Sequence, residues 1–333
     1  MPSKKVFLIV GLGNYIHASY RLFRQVKDIP LKIEVVVINE EKLIQILSKE
    51  NIACDYLNSS NRGFGFWMWK PVVIDFYLKS YDQVIYIDAG SEIVTSQFFN
   101  LMNWFDFNSF NMILSPSGQR MKSYTKMDAV LQFYNDNEWK NLQELPMFQA
   151  GVLFLKKSPG NVKLFKELTD LVKENRVDLF DDINRTNSNE DYFIEHRHDQ
   201  SVFNLILYKY FDFNEATLFP SSLTPPGQNI GFNSLPAVLC LRNISFLSYS
   251  NNYSIFGEQI KFPLFLKIVS RLFNLLFKKF KVSHYLVDFL FNRICLLWAS
   301  FFYKELFLKF KENFNSKENY NNWPKLSDFI ISK

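Results

Sequence analysis

Cysteine is scarce in this chain: 333 residues hold three, Cys54, Cys240 and Cys295, far apart, with no C-x-x-C pair and no His/Cys cluster. That excludes a disulfide-stapled scaffold and a structural zinc site, and it fits a reducing compartment. A long apolar run is missing from the N-terminus, where MPSKK is followed by only VFLIV before Gly11. This is too short for a spanning helix or a cleavable leader, so no export is expected. The Asn-x-Ser/Thr triplets at Asn58, Asn184, Asn243 and Asn252 then read as chance products of an Asn- and Ser-rich composition. A dinucleotide fingerprint is also lacking, because after Gly11-Leu12-Gly13 the place of the third glycine is held by Ile16.

What is present is apolar sequence sufficient for a large core, and a length that suits one large α/β domain with an appendage. The early pattern predicts a strand over 5–10, a turn over 11–14, a helix over 15–28, a strand over 32–38 and a helix over 40–49. Strands alternating with helices indicate βαβ units and a mainly parallel sheet. The first turn can bring backbone N–H groups near a phosphate, which makes Gly11 and Gly13 candidates for lining a nucleotide pocket, or simply a tight turn.

The most informative stretch is DQVIYIDAGSEI, 82–93. A β-branched and aromatic run passes straight into Asp88 and Gly90, and in open α/β sheets ligands gather at the carboxyl ends of strands. Before it stands NRGFGFWMWKP, 61–71, too Gly-rich for a helix and too aromatic for a solvated loop, so it is expected to pack over a pocket edge. Pro71 suits the first turn of a following helix. Arg62 and Lys70 flank the segment as candidates to face a diphosphate, or as surface cations.

Further on, a helix is expected over 126–135, and Gln149, Ala150 and Gly151 lead into a strand over 152–155. Small residues there permit close approach of a ligand. A helix follows over 161–175. In EHRHDQS, 195–201, ionisable and amide groups gather just before an apolar helix over 202–210. This is a second candidate site, although Asp199 or Ser201 as a helix cap and His196 and His198 as surface residues are equally open readings.

Taken together, YIDAG, QAGVLFLKKS and HDQSVFNLI resemble, in this order and spacing, the GT-A nucleotide-sugar glycosyltransferases, especially the family-eight-like retaining enzymes, and RGFGFWMWKP before them resembles a segment of bacterial surface-polysaccharide and lipooligosaccharide transferases. The likeness covers roughly 4–210. It implies a Rossmann-like mixed sheet flanked by helices. It also implies that Asp88 contacts the donor ribose or a divalent ion, that Gln149, Ala150 and Gly151 border the donor sugar, and that Asp199 and Gln200 lie near the reacting anomeric centre. A Mg²⁺ or Mn²⁺ ion would offset the charge of the departing nucleoside diphosphate. The chain departs from the pattern at Gly90, where a second Asp is expected. Glu92 is a candidate replacement ligand, and Arg62, Lys70, Arg197 and His198 are candidate fixed cations.

The net charge of +5 is uneven. Residues 258–312 hold eight Lys and two Arg against one Asp and three Glu, so the remainder is slightly acidic. Lys267, Arg271, Asn274, Lys278 and Lys281 recur at helical spacing along an otherwise Leu- and Phe-rich face, the pattern of an interfacial helix. Nucleic acid is not implied, since the cations are interleaved with aliphatic residues. The expected organisation is a catalytic domain over 1–257, a membrane-associating segment over 258–315 and a polar tail over 316–333. The expected setting is the inner face of the cytoplasmic membrane, with a nucleotide sugar as donor and a glycan or lipid-linked acceptor. A nucleotidyltransferase, or a degenerate transferase fold serving as a membrane-bound scaffold, is the alternative.

Overall fold

The computed structural model describes residues 3–27, 29–53, 57, 61–93, 95–185, 189, 191–218, 238–240, 253–255 and 258–260. The basic segment beyond residue 260, the polar tail, Cys54, Cys295, Asn58, Asn243 and Asn252 lie outside the described residues.

The chain opens with β1 (Lys5–Val10), α1 (Ile16–Lys27), β2 (Glu34–Ile38) and α2 (Glu40–Lys49). A single turn, α3 (Gly63–Phe66), leads into α4 (Trp69–Leu78), β3 (Gln83–Ile87), β4 (Ser91–Ile93) and α5 (Thr95–Phe107). Next come β5 (Met112–Leu114), β6 (Pro116–Arg120), α6 (Met121–Tyr124), α7 (Met127–Phe133), α8 (Asp136–Leu142), β7 (Pro146–Phe148) and β8 (Val152–Lys156). The remaining described elements are α9 (Pro159–Lys173), α10 (Val177–Phe180), α11 (Asp199–Tyr210), β9 (Ala216–Leu218), β10 (Val238–Cys240), β11 (Tyr253–Ile255) and β12 (Glu258–Ile260). β11 and β12 pair antiparallel, across the expected domain boundary.

The main sheet has six strands in the order β2-β1-β3-β8-β5-β9. β1 runs parallel to β2 and β3, whereas β8 is antiparallel to both β3 and β5. The sheet is therefore mixed, as the GT-A resemblance implies, rather than mainly parallel as the βαβ reading suggests. Side chains alternate strictly between two cores. Val6, Leu8, Val84, Tyr86, Leu153 and Leu155 face α2, α4, α9 and α11, while Phe7, Ile9, Ile85, Ile87, Val152 and Phe154 face α1 and α5.

The helix expected over 126–135 is α7, Met127–Phe133, and a second helix, α8, starts directly beyond it. Asn135 caps α8 by accepting from the Asn137 and Glu138 backbones, and the Glu138 side chain accepts from the Asn135 backbone N–H. This reciprocal cap ends α7 and restarts the chain in a new direction.

His196 and His198 are not surface residues; they are 4% and 3% exposed. His196 Nε2 meets the Leu179 carbonyl at 2.8 Å, so the ring proton belongs there, and Nδ1 accepts the Lys126 backbone N–H at 3.3 Å. Lys126, equally buried, ties down the same loop through the Asp181 carboxylate and backbone carbonyl and the Ile183 carbonyl. Burial, reinforced by the Lys126 charge, pushes the His196 pKa down to about 3. The folded chain keeps this ring neutral while the unfolded chain protonates it below about 6.5. Stability is thus expected to fall as pH drops through the window from about 6.5 to about 3, at up to ~1.4 kcal/mol per pH unit for this one group. Urea midpoints measured across that range check this, and His196→Gln is expected to flatten the slope.

Candidate active site

At the carboxyl end of β3 the alternation that buries Tyr86 brings Asp88 onto the same side of the sheet, beneath α4 and α11. Antiparallel β8 begins where β3 ends, and the Asp88 backbone N–H donates to the Gly151 carbonyl at 2.8 Å. A Cβ on residue 151 would stand 2.5 Å from Asp88 Oδ2, so glycine is required there for the carboxylate to occupy its place.

Lys70, from the first turn of α4, lies between two carboxylates. Its Nζ is 2.7 Å from Asp199 Oδ2 and 3.4 Å from Asp88 Oδ1, and it rests 5.4 Å over the Tyr86 ring. The Lys70 and Asp199 side chains are 6% and 11% exposed, whereas that of Asp88 is 45% exposed. Burial alone would lower the Lys70 pKa, but Asp199 and Asp88 more than offset it and hold the ammonium above its ordinary value. Burial pushes the Asp199 carboxyl upward, with Lys70 opposing. At neutral pH we take both as charged, because the 2.7 Å contact gives each its counter-ion. The trio carries one surplus negative charge, and its most exposed member is Asp88.

Asp199 is therefore not a helix cap, nor is Ser201. The N-cap of α11 is His198, which makes no side-chain capping bond; Ser201 Oγ accepts from the Arg197 backbone and donates to the Tyr124 carbonyl. His198 has φ 50°, with Nδ1 at 2.8 Å from the Phe180 carbonyl. Its ring stacks against Phe66 and Trp67 at centroid distances of 5.5 and 5.4 Å.

Those two aromatics belong to an unusual turn. From Gly63 to Trp67 every φ is positive, at 60°, 57°, 90°, 54° and 59°, so α3 is wound left-handed. Each L-residue in that conformation costs ~1–2 kcal/mol, which Phe64, Phe66 and Trp67 all incur. Gly63 is needed twice over, because its φ is 60° and a Cβ there would sit 2.3 Å from the Trp67 ring. The turn ends just before Lys70 and leans on the residue before Asp199, so it helps set the distance between the two charges.

The turn after Asp88 is held from below by a residue the sequence does not single out. Arg21 of α1, 2% exposed, donates from Nη2 to the Ala89 and Ser91 carbonyls at 3.0 and 2.9 Å. Gln25, one helical turn on, accepts the Ile93 backbone N–H.

The other sequence candidates fall into two groups. Gln149 and Ala150 are buried beside Gly151, and Gln149 Nε2 donates to the Pro116 carbonyl at 3.2 Å. Gln200 Nε2 reaches Gln119 Oε1 at 3.1 Å, which brings β6 alongside the start of α11. Gly90 lies in the turn closed by the Ser91 N–H on the Asp88 carbonyl. Glu92 is 1% exposed in β4, which pairs with β10. By contrast, Arg62 is exposed and paired with Asp182 at 3.4 Å, and Arg197 is paired with Glu195 at 2.6 Å. Lys70 is not a surface cation: it is buried in its bridge, where it lines a cavity together with Asp199 and Ala150. Gly11 donates to the Ile38 carbonyl, and a Cβ on it would strike Ser19; Gly13, φ 51°, is exposed with its N–H on Glu40. Because Leu8 pairs with Tyr86, Val10 is level with Asp88, which brings the Gly11–Gly13 turn to the same sheet edge.

Among the described residues no group of three or more His, Cys, Asp or Glu is arranged to hold a metal ion. No helix among them is long and apolar enough to cross a membrane.

No family model matches the chain, and no curated protein matches it. Solved structures similar to it include mouse xyloside xylosyltransferase 1, at 14% identity over 63% of this chain and 84% of that one, TM-score 0.35. Another is the galactosyltransferase LgtC with donor and acceptor sugar analogues, at 12% identity over 70% and 86%, TM-score 0.34. A third is core-mannan synthase A of Aspergillus fumigatus in a Mn/GDP form, at 10% identity over 66% and 73%, TM-score 0.34.

Removing the Lys70 charge leaves two neighbouring carboxylates facing each other, one of them buried. Lys70→Met is expected to destabilise the fold by ~3–5 kcal/mol, measured by urea unfolding, and Lys70→Met/Asp199→Leu to recover much of that loss.

Proposed function

We propose that the chain is a glycosyltransferase that binds a nucleotide sugar at Asp88 and moves the sugar to a glycan or glycolipid hydroxyl during surface-polysaccharide assembly. The observation that carries this reading is the Asp88–Lys70–Asp199 bridge. It joins YIDAG and HDQ, two of the three segments that carry the sequence resemblance, through Lys70 of NRGFGFWMWKP.

Glycosyl transfer breaks the bond between the anomeric carbon and the diphosphate and joins that carbon to an acceptor oxygen, which loses its proton. The half-exposed Asp88 carboxylate suits hydroxyl groups of a ribose or hexose, since it can accept two such bonds. Gly151 lets that carboxylate take its place at the end of β3. Asp199, fixed on the first turn of α11, and Gln200 would lie near the reacting anomeric centre, where a developing positive charge on the sugar would be stabilised.

A divalent ion fits this site in one respect. Mg²⁺ and Mn²⁺ are commonly held by one or two carboxylates plus substrate phosphates, and Asp88 offers a half-exposed carboxylate with surplus negative charge around it. Asp88 would hold such an ion jointly with the donor phosphates, where it would neutralise the leaving group. Glu92 is a less fitting second ligand, being buried in β4.

The basic amphipathic segment over 258–315 would bring this site to a lipid-linked acceptor at the inner face of the cytoplasmic membrane.

A thermal-shift panel of UDP and GDP sugars, with and without Mn²⁺, tests the donor: one or more is expected to raise the melting temperature, and no stabilisation by any member would overturn the reading. Asp88→Asn is expected to abolish turnover. Truncation before Glu258 is expected to release the protein from anionic vesicles in a flotation assay.

A further inference from the structure

An aspartate carboxyl group rotates easily, because its terminal torsion is broad and roughly two-fold. A site that depends on Asp88 therefore needs something to decide which oxygen meets the ligand. Tyr86 is placed to do so. Its ring is 1% exposed, and it lies under the Lys70 ammonium at 5.4 Å. Its hydroxyl donates to Asp88 Oδ1 at 2.6 Å, a short contact of the charge-assisted kind. The same oxygen is the one 3.4 Å from Lys70 Nζ. The other, Oδ2, overlies Gly151 in the space a Cβ would fill. Both fixed donors thus act on one oxygen.

We propose that Tyr86 is a positioning residue that commits Asp88 Oδ1 to the protein and leaves Oδ2, the oxygen seated against Gly151, as the one that meets the ligand. This rests on the glycosyltransferase reading for the identity of the ligand, a hydroxyl-bearing nucleotide sugar. The contact itself does not. The geometry follows from the two-residue period of β3, which places the residue before last in the strand under the carboxylate that follows it. The side chain at 86 must be long enough to reach Asp88 and carry a donor at its tip while the rest remains in the core, and tyrosine meets both conditions.

The test is Tyr86→Phe, which keeps the ring and removes only the donor. Donor kcat/KM per folded molecule is expected to fall about 10- to 100-fold, the size of a lost hydrogen bond to a charged group. A merely structural role would lower the melting temperature and leave kcat/KM per folded molecule intact. A double-mutant cycle with Asp88→Ala, read as urea midpoints, isolates the contact from the reaction. The loss caused by Tyr86→Phe is expected to shrink by at least half when residue 88 is alanine. Wild-type kcat/KM per folded molecule in Tyr86→Phe, or an equal loss of stability in both backgrounds, overturns the proposal. If the wild-type chain handles no nucleotide sugar, the functional reading fails, while the midpoint cycle still decides whether Tyr86 holds Asp88.

Discussion

One buried ammonium organises this molecule's working end. Lys70 brings together Asp88 from the end of β3 and Asp199 from the start of α11, segments separated by more than a hundred residues. Placing a lysine where its side chain is 6% exposed is costly unless opposite charge is at hand, and two carboxylates supply it. Once the ammonium is there, each carboxylate is fixed by the need to accompany it. The local peculiarities around the site serve that arrangement. The left-handed turn at Gly63–Trp67 aims the start of α4, His198 at φ 50° aims the start of α11, and Gly151 clears the space that Asp88 requires. Backbone strain at this density is a mark of sites where geometry is maintained against local preference.

The sheet provides the frame. β8 reverses direction between β3 and β5, so its first residues meet the last residues of β3 instead of lying at the far edge. This brings small residues and a carboxylate face to face at one end of the molecule. Below, Arg21 and Gln25 of α1 hold the turn from Asp88 to Ile93, so both layers of helices contribute to the same few residues.

Much of this was legible in the sequence. The strand running into Asp88, the strand that follows Gly151, the apolar helix after EHRHDQS and their order are local patterns, and local patterns survive in a single chain; the helix was read over 202–210 and begins three residues earlier, at Asp199. The strand direction of β8 is not local, so the alternation of strands and helices suggested a more parallel sheet. The helix read over 126–135 ends where Asn135-x-x-Glu138, a capping signature, opens the next one. Lys70 was read as facing a diphosphate or as a surface cation; lysines are seldom buried, and nothing near it in sequence announces the two carboxylates. Arg21 acts on carbonyls 68 and 70 positions away, and such contacts leave no periodic trace. The histidines and Asp199 admit two readings in the sequence, since the segments that bury the rings, around Lys126 and Leu179–Phe180, lie elsewhere in the chain.

The central claim is that the bridged carboxylates form the donor site, and amide hydrogen exchange with and without a nucleotide sugar tests it most directly. The account predicts slowed exchange on donor addition over 86–91, 149–151 and 197–201 together, and loss of that protection in Asp88→Asn. Protection confined to other regions, with these three segments unchanged, would contradict it.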